Sequence, residues 1–488
     1  MSDFTRRDFM KIAGAGPLAA MADYRLEAAG TRPPNIVYLF GDQHRNSSWS
    51  GGDDPQVITP NLDRLAHEGA AFNHCISTYP LCCPYRASLM TGRYPQTTTI
   101  MSNNLGQEGL PLSEVTIADI PKKAGYATGY VGKWHLHPGA MNQLVPAGPH
   151  RHGFNWWRAA QNYRQRYHTK CFDDNGKQYE LQGYAPTAQM DQTLEFIEKN
   201  AQMPFCVFLS WHPPHAPYPE APQHFTDMYP AEKLKLRPNV PQNANLKAIR
   251  DAYTGYFSHV TAQDGEIGRL MKKLAQLGIS DNTIVVYTAD HGDMLGSFNL
   301  WAKQKPWEES INVPFVIRWP NGIKAGQRPN ALFSTPDITP TLLGLMGVPV
   351  PSRMQGTDFS PLVRGKSIRE PDSAFILARG MGGGGEDEAE QPAASAGRGA
   401  RQRAAAGAAQ KRAAKKAPKN PGEWRGVRTT RYTYARHQAP GNTSPWVLYD
   451  NEKDPYQLHN LSNDSAAAGI RKELNQLVDQ WRKRLGEA

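Results

Sequence analysis

Four runs of apolar, β-favouring residues, each followed at once by ionisable side chains, constrain this chain of 488 residues more than any other feature. Asn35-Ile36-Val37-Tyr38-Leu39-Phe40 leads into Gly41-Asp42-Gln43. Residues 126–131 lead into Gly132-Lys133-Trp134-His135. Phe205-Cys206-Val207-Phe208-Leu209-Ser210 leads into Trp211-His212-Pro213-Pro214-His215, and Thr283-Ile284-Val285-Val286-Tyr287-Thr288 into Ala289-Asp290-His291-Gly292-Asp293. A continuous apolar run suits a strand of a parallel sheet covered on both faces, where an alternating one would leave a face to water. Open α/β sheets bind ligands beyond the carboxyl ends of their strands. One His or Lys alone is more often a surface or satisfied core group, but four such sets at one sheet edge predict a single site. Asp42, Gln43, Asp290 and His291 bring oxygen and imidazole ligands from two strand ends, a set suited to Ca²⁺, Mg²⁺ or Mn²⁺. No thiolate cluster for zinc is available.

A second stretch supplies a nucleophile. In Leu81-Cys82-Cys83-Pro84-Tyr85-Arg86-Ala87-Ser88-Leu89-Met90-Thr91-Gly92, Pro84 suits a first helical turn and Gly92 a stop, which predicts a helix of at most two turns beginning at Cys82. Free N–H groups at a helix start attract an anion, and Arg86 one turn along adds a fixed planar cation. The alternative for any cysteine pair is a buried packing role. A cysteine-dependent phosphatase would need Cys-x5-Arg, but the residue six after Cys82 is Ser88 and six after Cys83 is Leu89.

Cys82-x-Pro84-x-Arg86 followed by Ala87-Ser88-Leu89-Met90-Thr91-Gly92-Arg93-Tyr94-Pro95 resembles the signature of the type I sulfatases of the alkaline phosphatase superfamily, in which the first cysteine is oxidised to formylglycine. Gly132-Lys133-Trp134-His135, Pro214-His215-Ala216-Pro217 and Leu300-Trp301-Ala302-Lys303 resemble further segments of that family. The resemblance implies an α/β, alkaline-phosphatase-like sandwich with a mostly parallel central sheet and a smaller C-terminal α+β subdomain. It makes Asp42, Gln43, Asp290 and His291 the metal ligands, Ca²⁺ first among the candidates, with Gln43 standing where the family usually has Asp. It implies a formylglycine hydrate at position 82, one hydroxyl of which attacks the sulfur of a sulfate ester. In that scheme Arg86 holds the diol, Lys133 and Lys303 hold sulfate oxygens, His215 protonates the leaving alcohol and His135 takes the proton that lets sulfate depart. Lys305 is the local competitor of Lys303. The rival activities are a phosphodiesterase or phosphonate monoester hydrolase of the same superfamily, and a carbohydrate-binding protein that has lost its chemistry. Aromatic- and basic-rich loops at 138–165 and 218–245 suit sulfated carbohydrates or aryl sulfates.

The remaining features set the context. Thr5-Arg6-Arg7-Asp8-Phe9-Met10-Lys11 with the weakly apolar run after it reads as a twin-arginine signal within residues 1–30, hence periplasmic or secreted placement, with the export machinery and a formylglycine-generating enzyme as partners. Cys75, Cys83, Cys171 and Cys206 remain once Cys82 is modified, either bridged or as buried thiols. Residues 31–368 are read as the catalytic domain and 369–488 as the C-terminal subdomain, with strands at 424–434 and 446–450 and a helix at 466–485. Residues 381–422, rich in Gly and Ala with four acidic and eight basic residues, hold too little apolar surface to offset the entropy of ordering and are read as a disordered insertion. Part of the net charge of +10 lies there, so the charge is not taken as a sign of nucleic-acid binding. No apolar run is long enough for a transmembrane helix.

Overall fold

The computed structural model describes residues 32–379 and 422–487, apart from 53, 107–108, 141–142, 439–440 and 442. The signal at 1–30 and all of the insertion but its last residue, 422, lie outside the described residues. The four apolar runs form adjacent strands: Asn35–Asp42 (β1), Ala127–Lys133 (β4), Phe205–Pro214 (β8) and Thr283–Ala289 (β9). They pair in parallel in the order β9-β1-β8-β4, and Trp156–Ala160 (β5) adds a fifth parallel strand beside β4. Antiparallel strands flank this block. Phe315–Arg318 (β10) and Ala70–Ala71 (β2) extend it beyond β9; Lys170–Phe172 (β6) and Gln178–Glu180 (β7) extend it beyond β5. His74–Ile76 (β3) and Leu332–Ser334 (β11) pair in parallel as a separate ribbon.

Why the runs are continuous is visible in β1. Ile36, Tyr38 and Phe40 join one apolar core, with Leu89 and Met90 of the helix Cys82–Thr91 and Ile338 and Leu342 of the helix Thr335–Met346. Val37 and Leu39 join another, under the helices Pro60–His67, Ala185–Asn200 and Leu246–Gln276. Both faces are covered, so neither parity of residue can be polar. The helix at Cys82 has ten residues rather than two turns, because every one of them is buried and tertiary packing sustains it up to Gly92, which closes it at φ 64°.

A four-stranded antiparallel sheet of Ala374–Ala378 (β12), Trp424–Arg428 (β13), Tyr432–His437 (β14) and Pro445–Asp450 (β15), packed against the helix Ala468–Arg484, forms the C-terminal part. The run read as one strand at 424–434 is two, because the chain turns at Thr429, whose N–H donates to the Tyr432 carbonyl at 2.9 Å. This sheet braces the large domain near residue 303. Trp424 Nε1 donates to the Gln304 carbonyl at 3.2 Å, and Arg428 Nε to Glu308 Oε1 at 2.8 Å.

All five cysteines are free thiols and buried, so no disulfide staples the fold. No helix among the described residues is long and apolar enough to cross a membrane.

Gly132, one residue before Lys133, tests how tightly β4 and β8 approach. Its φ is +96°, and a Cβ there would stand 2.0 Å from the Ser210 carbonyl oxygen, whereas Gly125 at φ +85° has nothing within 4 Å of its Cβ position. Gly132→Ala is expected to cost more than about 3 kcal/mol, and Gly125→Ala about 1 kcal/mol, from backbone strain alone. Denaturant melts of the two variants check this; equal midpoints would contradict it.

Candidate active site

The carboxyl ends of β9, β1, β8 and β4 deliver Asp290 and His291, Asp42 and Gln43, His215, and Lys133 to one buried centre. The ladder is irregular there. Phe40 pairs with Ser210 but Asp42 with Pro214, so β8 carries two extra residues against β1. Such a bulge re-aims side chains at a strand end, and here it carries the His212–His215 segment past the sheet edge. Gln43 (φ 72°) and His135 (φ 59°) hold left-handed backbone conformations that L-residues adopt at a cost, the kind of local strain that collects at functional sites.

Cys82 is the first residue of its helix, and its Sγ lies 3.4 Å from His291 Nε2, 3.6 Å from Lys133 Nζ and 3.7 Å from Asp42 Oδ1. Arg86, fully buried, donates to Asp290 Oδ2 at 3.1 Å, to Ser210 Oγ at 2.7 Å and to the Lys133 carbonyl at 2.8 Å, and its guanidinium stacks over Phe40. Lys133 Nζ donates to Asp42 Oδ2 at 2.6 Å. Burial opposes the charge on Asp42, but Lys133, His215 and Arg86 outweigh it and hold the carboxyl well below its usual range. Burial likewise opposes the Lys133 charge, and Asp42 reverses the effect, so its pKa is raised. Burial and then Asp42 push the Cys82 thiol up to about 12. His135 is held well below its ordinary value by burial first and by Lys133 and Arg86 next.

Ligand atoms of Asp42, Cys82, Asp290 and His291 all fall within 4.8 Å of one another. His291 Nε2 stands 3.5 Å from Asp290 Oδ1 and 3.6 Å from Asp42 Oδ1, too far to be bonded to either, so the three converge without satisfying one another. Oxygen and imidazole donors that meet this way fit a divalent cation. Gln43 is differently engaged. Its N–H donates to Asp290 Oδ1 at 3.0 Å, its Nε2 to Asp293 Oδ2 at 2.8 Å, and its Oε1 accepts from Lys303 Nζ at 2.8 Å.

Lys303 also bonds His215 Nε2 at 2.8 Å. An ammonium only donates, so Nε2 accepts and the His215 Nδ1–H donates to the Ala216 carbonyl at 2.9 Å. Lys305, the competitor, turns away: its Nζ donates to the carbonyls of Trp301 and Lys303, holding the loop. His135 meets Asn162 at 3.3 Å through Nε2.

Sequence reasoning passed over several residues at this centre. Asp293 anchors Gln43 and accepts from Tyr218 Oη at 2.6 Å and from the N–H groups of Leu295 and Ala302. Arg166 reaches His212 and the His215 carbonyl, and Ser77 Oγ donates to the Asp290 carbonyl. Asp293 and His212 lie within the strand-end sets already noticed and were open to notice; Arg166 and Ser77 carry no local signal.

A mostly parallel sheet whose strand ends gather acids, imidazoles and lysines around a helix-borne cysteine defines an α/β protein with a candidate cation centre. The family model described as Sulfatase matches residues 34–348. An ulvan-active sulfatase of Formosa agariphila is 34% identical over 98% of this chain and 89% of its own length, and an endo-4-O-sulfatase of Bacteroides thetaiotaomicron 29% over 93% and 91%. The solved structure of yidJ from Bacteroides fragilis superposes with a TM-score of 0.79 at 27% identity, covering 95% of this chain and 98% of that one. The chain belongs to the sulfatase family and is a hydrolase of sulfuric esters.

The contact between Gln43 and Asp293 explains why an amide stands at position 43. Gln43→Glu would set a second carboxylate against Asp293 out of water, offset in part by Lys303, and is expected to cost about 1–3 kcal/mol. When Gln43→Glu is combined with Asp293→Asn, the amide introduced at position 293 can donate to the carboxylate introduced at position 43, and its oxygen can keep the two N–H groups, so most of the loss should return. Chemical denaturation of both variants checks this, and a double variant no better than the single one would refute it.

Proposed function

We propose that Cys82, once oxidised to formylglycine, and a divalent cation held by Asp42, Gln43, Asp290 and His291 form the centre at which this chain cleaves sulfate esters of a sulfated glycan. The observation that carries the reading is the position of Cys82, at a helix start and within 4 Å of Lys133, His291 and Asp42. The modification supplies a hydrated aldehyde as nucleophile, and the cation supplies charge to orient it and to balance the sulfate.

The chain's own residues do the rest. Arg86 neutralises Asp42 and Asp290 and fixes the first helical turn against β4 through the Lys133 carbonyl. Lys133 sits on Asp42 and Lys303 on Gln43, and both hold sulfate oxygens as charge builds. His215, oriented by Lys303 at Nε2 and by the Ala216 carbonyl at Nδ1, donates the proton to the leaving alcohol oxygen. His135, kept neutral by burial and by the neighbouring cations, accepts the proton whose removal lets sulfate leave. A glycan substrate is supported by the relative named for ulvan. Ca²⁺ is the first candidate because hard oxygen donors dominate; the one imidazole leaves Mn²⁺ as a substitute. The twin-arginine sequence supports export, and cytoplasmic maturation before export is compatible with a route that carries folded protein.

Four experiments test this. Peptide mass spectrometry of protein made with a maturation system should find formylglycine in the peptide ending at Arg86. Cys82→Ala should lower kcat on p-nitrophenyl sulfate by about 1,000-fold or more, whereas Cys83→Ala, a core position, should leave it within about threefold; equal losses would overturn the assignment. Chelation should abolish turnover and Ca²⁺ restore it. Matched sulfate, phosphodiester and phosphonate monoester substrates decide between the sulfatase and the phosphorus activities: higher kcat/KM on the phosphorus compounds would overturn the sulfate reading.

A further inference from the structure

His212 takes no part in the scheme above, yet it is 1% exposed and sits against His215, ring centroids 4.6 Å apart. Its Nδ1 lies 2.7 Å from Arg166 Nη1. A guanidinium has no lone pair to offer, so Nδ1 accepts and the ring proton must be on Nε2. Among the described residues no protein group bonds that Nε2. Arg166 is fully buried, and its Nη2 donates to the His215 carbonyl, so one guanidinium fixes the ring of His212 and the backbone of His215 together. Burial and then Arg166 hold His212 neutral, and His215, Lys133 and Asp42 also lie within range of its charge. Nε2 is not sealed from solvent, so an oxygen from outside the protein is its acceptor. Something absent from the protein completes it.

We propose that His212 is a substrate-binding residue whose Nε2–H donates to a hydroxyl oxygen on the carbon next to the sulfated one, with Arg166 as the positioning residue that sets its tautomer. The side follows from the role proposed above for His215 at the leaving alcohol: a ring packed against it meets the sugar rather than the sulfate. The ligand class is a sugar sulfate with a free vicinal hydroxyl. A site built to bond a hydroxyl rejects the analogue lacking it, because the donor is then left dry. The proposal rests on the glycan reading above.

The test uses full-length matured enzyme with three probes: p-nitrophenyl sulfate, the best-cleaved member of a panel of hexose monosulfates, and the analogue of that sugar deoxygenated at the vicinal carbon. Wild type should lose about 10- to 100-fold in kcat/KM on the deoxy sugar. His212→Ala should lose the same factor on the intact sugar, little more on the deoxy sugar, and less than about threefold on the aryl sulfate. Equal loss on the aryl sulfate would mean that His212 serves the sulfate or the fold, and no loss on the intact sugar would mean that it binds nothing; either overturns the proposal. Wild type that cleaves the aryl sulfate and no sugar overturns the glycan reading, and this proposal with it, in an arm that needs no variant. For Arg166, the ¹⁵N spectrum of histidine-labelled enzyme, assigned with His212→Ala, should show an unprotonated Nδ1 that moves toward mixed tautomers in Arg166→Met; an unchanged spectrum removes the positioning role.

Discussion

Charge that cannot reach water governs this molecule. Asp42, Asp290, Arg86 and Lys133 are all but inaccessible, and each is held by another: Lys133 on Asp42, Arg86 on Asp290 and, more loosely, on Asp42. Removing a member of such a set exposes its partner to desolvation with nothing in return, which is far worse than never having buried the pair. The sheet therefore cannot drift. Strand register, the bulge on β8 and the pitch of the helix at Cys82 are fixed by the need to bring these groups within about 3 Å of each other. Catalytic precision follows from the same requirement, since a site held this way needs no reorganisation when charge develops.

Much of this was legible in the amino-acid sequence. The parallel block could be read because both its faces are apolar, leaving runs such as Ile36 to Phe40 with no polar interruption, and because Asp42, Lys133, His215 and Asp290 each follow such a run directly. Burial at a strand end leaves an ionisable residue no bland explanation. What escaped was whatever depends on distance across the chain. Arg166 sits in a loop and matters only because the β8 bulge brings His212 to it. Asp293 looked like one more acid of a strand-end set, and its role became plain only when Gln43 was found to face it with an amide. The length of the Cys82 helix was underestimated because local propensity says nothing about a helix sealed on every side.

The two lysines illustrate how packing assigns roles that composition cannot. Lys303 and Lys305 lie two residues apart with the same side chain. Ala302 and Gln304 carry positive φ (58° and 66°), so the backbone reverses around Lys303 and sends it toward Gln43 and His215, while Lys305 folds back on its own loop. The chemistry belongs to the turn as much as to the residue.

That turn is held from behind by Trp424, whose indole N–H reaches the Gln304 carbonyl, and by Arg428 on Glu308. Both come from the last quarter of the chain. During synthesis the strands bearing Asp42, Lys133, His215 and Asp290 emerge long before residue 424 does, so a nascent chain can build the strand-end half of its centre while the turn at Lys303 still lacks its support. Competence thus arrives with the final sheet. A chain cut short by premature termination or trimming would lose both the support of the turn at Lys303 and the apolar partners of Ile76, Tyr79 and Leu81, which lead into Cys82.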